Sequence, residues 1–146
     1  MDKKIELLKK KKKKAKGITA KAKKKTATAR ASIRKGTGRI TLNKMNVKTF
    51  QPWFLRELIM EPVQLAGPLA QEIDVDVFAV GGGSMGQAGS ARTAIAKAII
   101  EYTGDEKLKK KYLQYDRMLL VDDPRRKEAK KPLGRGARKK KQLSFR

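Results

Sequence analysis

Three groups of residues in this chain have the types and spacing to do chemistry. Gly81-x-Gly83-x-x-Gly86 has the pattern of a loop that lays backbone N–H groups against a phosphate, because glycine puts no Cβ in the way. Asp74 and Asp76 stand two residues apart, as a carboxylate pair on one strand face would, and paired carboxylates are what glycoside hydrolysis uses. Arg30, Arg34 and Arg39 recur with almost no acidic neighbours, and their planar guanidinium groups suit phosphate oxygens. No further catalytic apparatus accompanies any of them. Histidine and cysteine are both absent, which excludes imidazole bases, thiolate nucleophiles, disulfides and Cys/His metal sites.

The elements that must position these groups narrow the chemistry further. Ile73, Val75, Val77 and Ala79 alternate with Asp74 and Asp76, the two-residue period of a strand, and Phe78 and Val80 are expected to bury the second face near its end. A helix follows to Thr103, with Ala88, Ala91, Ile95, Ala98, Ile99 and Tyr102 at three- and four-residue steps. Ser84 and Gln87 predict a capping box, and Gly104 a left-handed end. A dinucleotide site would need a second parallel strand ending in an acidic residue about 20 positions on, but a second helix comes next. No Gly-Lys-Ser/Thr follows the glycines, so a phosphate loop of the NTPase kind fails too. Asp74 and Asp76, without catalytic partners, read as a solvated or lysine-paired strand face. What survives is backbone N–H groups of the glycine turn and a helix N-terminus, aimed at an anion.

Charge identifies the anion as a polymer. The 146 residues carry 38 Lys+Arg against 14 Asp+Glu, a formal net charge of +24, too much self-repulsion for a compact monomer without counter-charge. Residues 1–30 hold 14 basic and 2 acidic groups, residues 31–121 hold 13 and 9, and residues 122–146 hold 11 and 3. The chain therefore divides into a basic N-terminal extension at 1–23, a globular domain at 24–121 and an extended basic arm at 122–146. Both arms are expected to be disordered alone, since runs of like charge bury too little apolar surface to offset ordering. No apolar run approaches the roughly 18 residues of a membrane span and no signal core follows Met1, so an aqueous, reducing compartment and no membrane partner are expected.

In the domain, Ala27, Ala29, Ala31 and Ile33 alternate with polar residues, and Ile40 and Leu42 resume the pattern after Lys35-Gly36-Thr37-Gly38, which predicts a hairpin with Arg30, Arg34 and Arg39 as an outer basic stripe. Thr49 to Met60 reads as a helix entered at Pro52 and ended by Pro62, with Trp53 packed in the core. Asp105 is expected to cap a helix in which Leu108, Tyr112 and Tyr115 share a face, and Met118 to Val121 to form a short edge strand. Free RNA- or DNA-binding, a nucleotide enzyme and a ribonucleoprotein component all remain open at this level.

Gly81-Gly82-Gly83-x-x-Gly86-Gln87-Ala88-x-Ser90 with Ala94-x-Ala96-Lys97-Ala98-Ile99 resembles the signature segment of the universal small ribosomal subunit protein nine family. Lys25 to Arg30 is similar to its first strand and Gly36 to Ile40 to its turn. Asp123-Pro124-Arg125, Glu128, Lys130, Lys131, Gly134, Ala137-Arg138-Lys139 and Gln142 to Arg146 resemble its C-terminal arm. The ending Ser144-Phe145-Arg146 is closer to the archaeal and eukaryotic branch, with Phe145 keeping the ring of the usual Tyr and losing its hydroxyl.

The resemblance implies an α+β two-layer sandwich like the second domain of ribosomal protein five, its mixed sheet covered by helices on one face, with basic extensions at both ends. It implies a non-catalytic, cofactor-free structural protein of the cytoplasmic small ribosomal subunit, not a homo-oligomer, among neighbouring proteins of the subunit head. The expected contacts with small-subunit rRNA are Lys25, Arg30, Arg34, Lys35, Arg39, Gly81, Gly82, Gly83, Ser84, Gln87, Arg92, Arg125, Arg126, Lys130, Lys131, Arg135, Arg138 and Lys139. Lys141, Ser144, Phe145 and Arg146 are expected to approach the peptidyl-site tRNA.

Overall fold

A computed structural model describes residues 17–139 and Ser144. Strands β1 (Ile18–Lys24), β2 (Ala27–Lys35), β3 (Ile40–Leu42), β4 (Met45–Asn46) and β5 (Ile73–Val80) form one sheet in the order β1-β2-β5-β3-β4. All neighbours are antiparallel except β3 and β5, so the sheet is mixed. Helices α1 (Trp53–Ala66), α2 (Ser84–Thr103) and α3 (Glu106–Tyr115) complete the fold. Helix α2 packs against β1, β2 and β5, and α1 and α3 pack on α2. The α+β sandwich with helices on one face is the expected architecture.

Alanine sets the spacing of the layers. Ala20, Ala22, Ala29, Ala31 and Ala79 line the covered sheet face, and Ala88, Ala91, Ala94, Ala96 and Ala98 come from α2, so helix and sheet approach closely around Ile33, Val75, Ile95 and Ile99. The core needs small side chains because α2 is enclosed on nearly every side: only Arg92, Lys97 and Ile100 break an otherwise buried run from Ala88 to Ile100. Gly104 ends the helix in the left-handed conformation and Asp105 caps α3 by accepting from the Lys107 N–H, both as expected.

Several expectations fail for identifiable reasons. The sheet starts at Ile18, upstream of the boundary expected at residue 24, because Ala20 and Ala22 alternate with Thr19, Lys21 and Lys23 as a strand pattern does. The expected hairpin between β2 and β3 does not form, since β5 lies between them and the true hairpin is β1–β2, turning at Lys25 and Thr26. The loop after β2 wraps the start of β5 instead: Gly36 N–H donates to the Glu72 carbonyl, and Thr37 and Arg39 N–H groups donate to the Asp74 carboxylate at 2.9 and 3.0 Å. Phe78 and Val80 are exposed, not buried, because β5 keeps a strict two-residue phase and they stay on the side of Asp74 and Asp76.

Helix α1 buries Leu55, Ile59, Pro62 and Ala66, which leaves Trp53 out of phase and 65% exposed, in edge-to-face contact with Phe54. Pro62 sits inside α1 rather than ending it: its ring is buried and its carbonyl accepts from the Tyr112 hydroxyl at 2.6 Å, and the stop comes at Gly67, where φ is 64°. Burial pushes the Tyr112 hydroxyl pKa up, so it remains a donor throughout the physiological range. Residues 118–121 form no strand: Asp116 accepts from the Met118 N–H and starts a 3₁₀ turn, Arg117–Leu119, with Leu119 buried beneath it. Only the bridge between Lys24 and Asp123 extends the sheet in this region.

Candidate nucleic-acid interface

The face of the sheet away from the helices is bare, and strand register arranges its side chains in rows. Lys23, Thr28 and Val80 form one row, Lys21, Arg30 and Phe78 the next, and Thr19, Ser32, Asp76 and Thr41 the third. Arg34 stands opposite Asp74 beyond them. Arg30, Arg34, Arg39 and Lys44 border a shallow cleft of about 440 Å³ floored by Asp76 and Phe78. The arginine stripe expected of a hairpin is therefore real, although β5 runs through its middle.

The two acidic residues on this face are already satisfied by the chain itself. Hydrogen bonds from the Thr37 and Arg39 backbone N–H groups hold the Asp74 carboxyl below its ordinary pKa, with added attraction from the Arg34 and Arg39 guanidinium groups. Asp76 receives the Thr41 hydroxyl at 2.7 Å and the Arg34 guanidinium at 3.0 Å. Arginine, not lysine, is the cation beside these carboxylates. The side-chain cations of Lys21, Lys23, Arg30 and Lys44 form no ion pair among the described residues, so the net field of the face is positive.

The glycine turn lies at the end of this face, against the β1–β2 turn. Gly81 and Gly82 have φ of 78° and 65°, and a Cβ on Gly81 would stand 2.7 Å from the Thr26 carbonyl oxygen, so both are demanded by the fold. Gly83 differs. It begins α2 in extended geometry, and a Cβ there would meet nothing within 4 Å, so its openness leaves an unobstructed approach to the helix N-terminus. The capping box is not formed: Ser84 is the first helical residue, no side chain caps the N–H groups, and the Gln87 side-chain amide donates to the Gly81 carbonyl instead. An anion is the natural partner for those uncapped donors.

The root of the C-terminal arm meets the same corner. Arg126 donates to the Lys25 carbonyl, and Asp122 accepts from the Lys23 N–H and, at 2.7 Å, from Lys97 Nζ. Arg125 grips Asp123 by donating from Nε and Nη2, which holds the Asp123 carboxyl down to about 2, with the Arg125 backbone N–H adding a further hydrogen bond. Farther out, Lys130, Lys131, Arg135 and Lys139 are exposed, and Arg138 pairs with Glu128 at 2.9 Å. Lys25 and Lys35 are exposed at opposite ends of β2, and Ser144 is exposed in the arm.

The chain belongs to the ribosomal protein S9/S16 family. The family described as Ribosomal protein S9/S16 matches residues 22–146, the whole domain and arm except the first strand's opening residues. The chain is similar to three archaeal proteins named "Small ribosomal subunit protein uS9". That of Picrophilus torridus is 50% identical over 117 residues, covering 80% of this chain and 88% of that protein. Those of Methanothrix thermoacetophila and Methanococcus maripaludis are 49% and 45% identical, each over 80% of this chain and 89% of the relative.

Among the residues expected at the interface, Arg92 does not join the others. Its guanidinium binds Glu61 of α1 and Asp116, the latter at 2.7 Å, with the Arg92 side chain only 12% exposed, so it ties helices together. Lys141, Phe145 and Arg146 lie outside the described residues. Lys21, Lys23, Lys44 and Phe78 belong to the face although sequence reasoning does not place them there. The alternation of β1 carries the signal for the first two, but a lysine-rich setting disguises it as part of a tail, and the preference of large rings for the interior misplaces Phe78.

Proposed function

We propose that this chain is a structural, non-catalytic component of the small ribosomal subunit that docks on small-subunit rRNA and sends its C-terminal arm toward the peptidyl-site tRNA. The observation that carries the reading is the family match running without interruption from the domain to the last residue. The geometry supplies a means. The bare sheet face offers Arg30, Arg34, Arg39, Lys21 and Lys44 to phosphates, and the corner at Gly83 adds backbone donors beside Lys25 and Arg126. Lysine and arginine in the arm replace RNA counterions, and the arm is ordered as it binds. Lys130, Lys131, Arg135, Arg138 and Lys139 face rRNA, while Lys141, Ser144, Phe145 and Arg146 reach the tRNA backbone. Neighbouring ribosomal proteins of the head are its protein partners.

Two kinds of measurement test this. Tagged chain from cells should co-sediment with small subunits through a high-salt wash; dispersal into the soluble pool would instead indicate a free RNA-binding protein. In binding to an rRNA head fragment, Arg30→Gln, Arg34→Gln and Arg39→Gln together should lower the slope of log affinity against log salt by about 3, roughly 1 for each phosphate that is no longer neutralised. Removing Arg146, worth one charge-assisted hydrogen bond of about 1.5–3 kcal/mol, should speed tRNA release from the peptidyl site and leave subunit assembly intact. An unchanged tRNA off-rate would refute the arm's role.

A further inference from the structure

Phe78 is an anomaly on an otherwise charged surface. It is 64% exposed near the end of β5, an interior strand of the sheet, where burial would be the rule for a ring of that size. The phase of β5 leaves its side chain on the bare face, in register with Arg30 of β2 and, one strand further, with Lys21 of β1. Val80, also exposed, stands two residues along the same face. Lys21, Thr28, Arg30, Phe78 and Val80 together line a recess of about 220 Å³. No carboxylate lines it: Asp76 belongs to the next row and is held by Arg34 and Thr41.

We infer that this recess holds one unpaired RNA nucleotide, its base stacked on the Phe78 ring and against Val80, its phosphates on Arg30 and Lys21. The inference rests on the RNA-docking reading above and adds a ligand that phosphate binding alone does not require. Every base has a π-face and every nucleotide an anionic linkage, and this row offers one apolar ring and two cations across adjacent strands, the combination that single-strand platforms use. Double-helical RNA keeps its bases stacked on each other and would leave the ring wet. A protein segment could cover Phe78, but an acidic one would be needed to match Lys21 and Arg30, and such a partner is the competing outcome of the test. The stripe and the ring thus divide labour: Arg34 and Arg39 hold backbone, and the Lys21–Arg30–Phe78 row captures a base.

The test uses the full chain with two RNA probes, an eight-nucleotide oligouridine and a hairpin duplex, followed by fluorescence anisotropy at fixed salt. Phe78→Ala should weaken oligouridine binding by roughly 5- to 150-fold, the range expected for one base–aromatic stack, and leave duplex binding unchanged, while Phe78→Tyr restores the parent affinity. Arg30→Gln should weaken both probes. A Phe78→Ala protein that binds both probes as the parent does overturns the stacking site, and if duplex binding still falls with the arginine variants the docking reading survives that failure. In assembled small subunits, a benzophenone side chain at position 78 should crosslink to rRNA; crosslinking to a neighbouring protein overturns the inference as well. Circular dichroism of each variant checks that the fold is intact, and since Phe78 is outside the core the variants are expected to fold.

Discussion

Replacing Arg92 with methionine should destabilise the domain without touching RNA affinity. The guanidinium reaches from α2 to Glu61 of α1 and to Asp116 at the end of α3, with the two carboxylate side chains 28% and 32% exposed. Methionine preserves most of the stem packing, so the loss is electrostatic: two carboxylates remain without their shared cation. Breaking a fully buried pair costs about 3–5 kcal/mol, and partial solvation of both carboxylates reduces this to about 1.5–3 kcal/mol. At roughly 3–6 °C per kcal/mol for a domain of this size, the thermal midpoint of the full chain, followed by circular dichroism at pH 7, should fall by about 5–15 °C. Adding Glu61→Gln and Asp116→Asn should recover most of the loss. The pH dependence supplies a second check. Burial pushes the Asp116 carboxyl up, but hydrogen bonds from Arg92 and the Met118 N–H, with attraction from Arg92 and Lys24, outweigh it and hold the group below 3.8. A lowered carboxylate contributes stability that is full above its unfolded value and lost as pH falls through the folded one, so the gap between parent and variant should narrow below pH 3.8. A gap under about 0.5 kcal/mol at pH 7, the usual range of surface changes, would refute the assignment of Arg92 to the interior. So would a loss of affinity for RNA in a variant that remains folded.

The glycine turn separates fold from function. Gly81→Ala, with φ of 78° and a Thr26 oxygen 2.7 Å from the new Cβ, should cost about 1–3 kcal/mol in chemical denaturation. Gly83→Ala should cost under about 1 kcal/mol and, on the proposed docking of a phosphate at this corner, still weaken rRNA binding; equal losses of stability at the two positions would refute this. Asp123→Asn should release Arg125 and speed tryptic cleavage at residues 125–127, read by mass spectrometry, while the domain stays intact. In the parent, the Arg125–Asp123 pair, followed by the NMR shift of the Arg125 Nε proton rather than by trypsin, should be fully formed above pH 3.8 and lost as pH falls through about 2, the sign expected of a lowered carboxylate.

What is legible in the sequence is local. The period of Ile73 to Ala79, the left-handed Gly104 and the Asp105 cap each depend on a few adjacent residues, and each is in the structure as read. What stays hidden is long-range. Nothing near Gly36 to Gly38 announces that Asp74, far along the chain, gathers that loop and that β5 enters between β2 and β3. General preference places aromatic residues inward, and the phase of β5 and the packing face of α1 override it at Phe78 and Trp53. Arg92 looks like its neighbours in charge and differs only in what α1 and α3 bring to it. The candidate interface is therefore readable as composition and as an arginine stripe, while the exposed ring on it needs the register of three strands.

Inserting β5 between earlier strands also governs how the chain behaves while it is being made. The β1–β2 hairpin leaves the exit channel long before its partners: β5 and α2, which complete the sheet and cover its alanine face, end at Thr103. At 5–20 residues per second the stretch from Lys35 to the end of β5 at Val80 takes roughly 2–9 s, during which the whole edge of β2 is unpaired. Two nascent hairpins meeting in that time would present Arg30 and Arg34 to each other, and mutual repulsion opposes their pairing. Groups proposed to grip phosphate in the finished particle would thereby guard the newborn chain against its own copies.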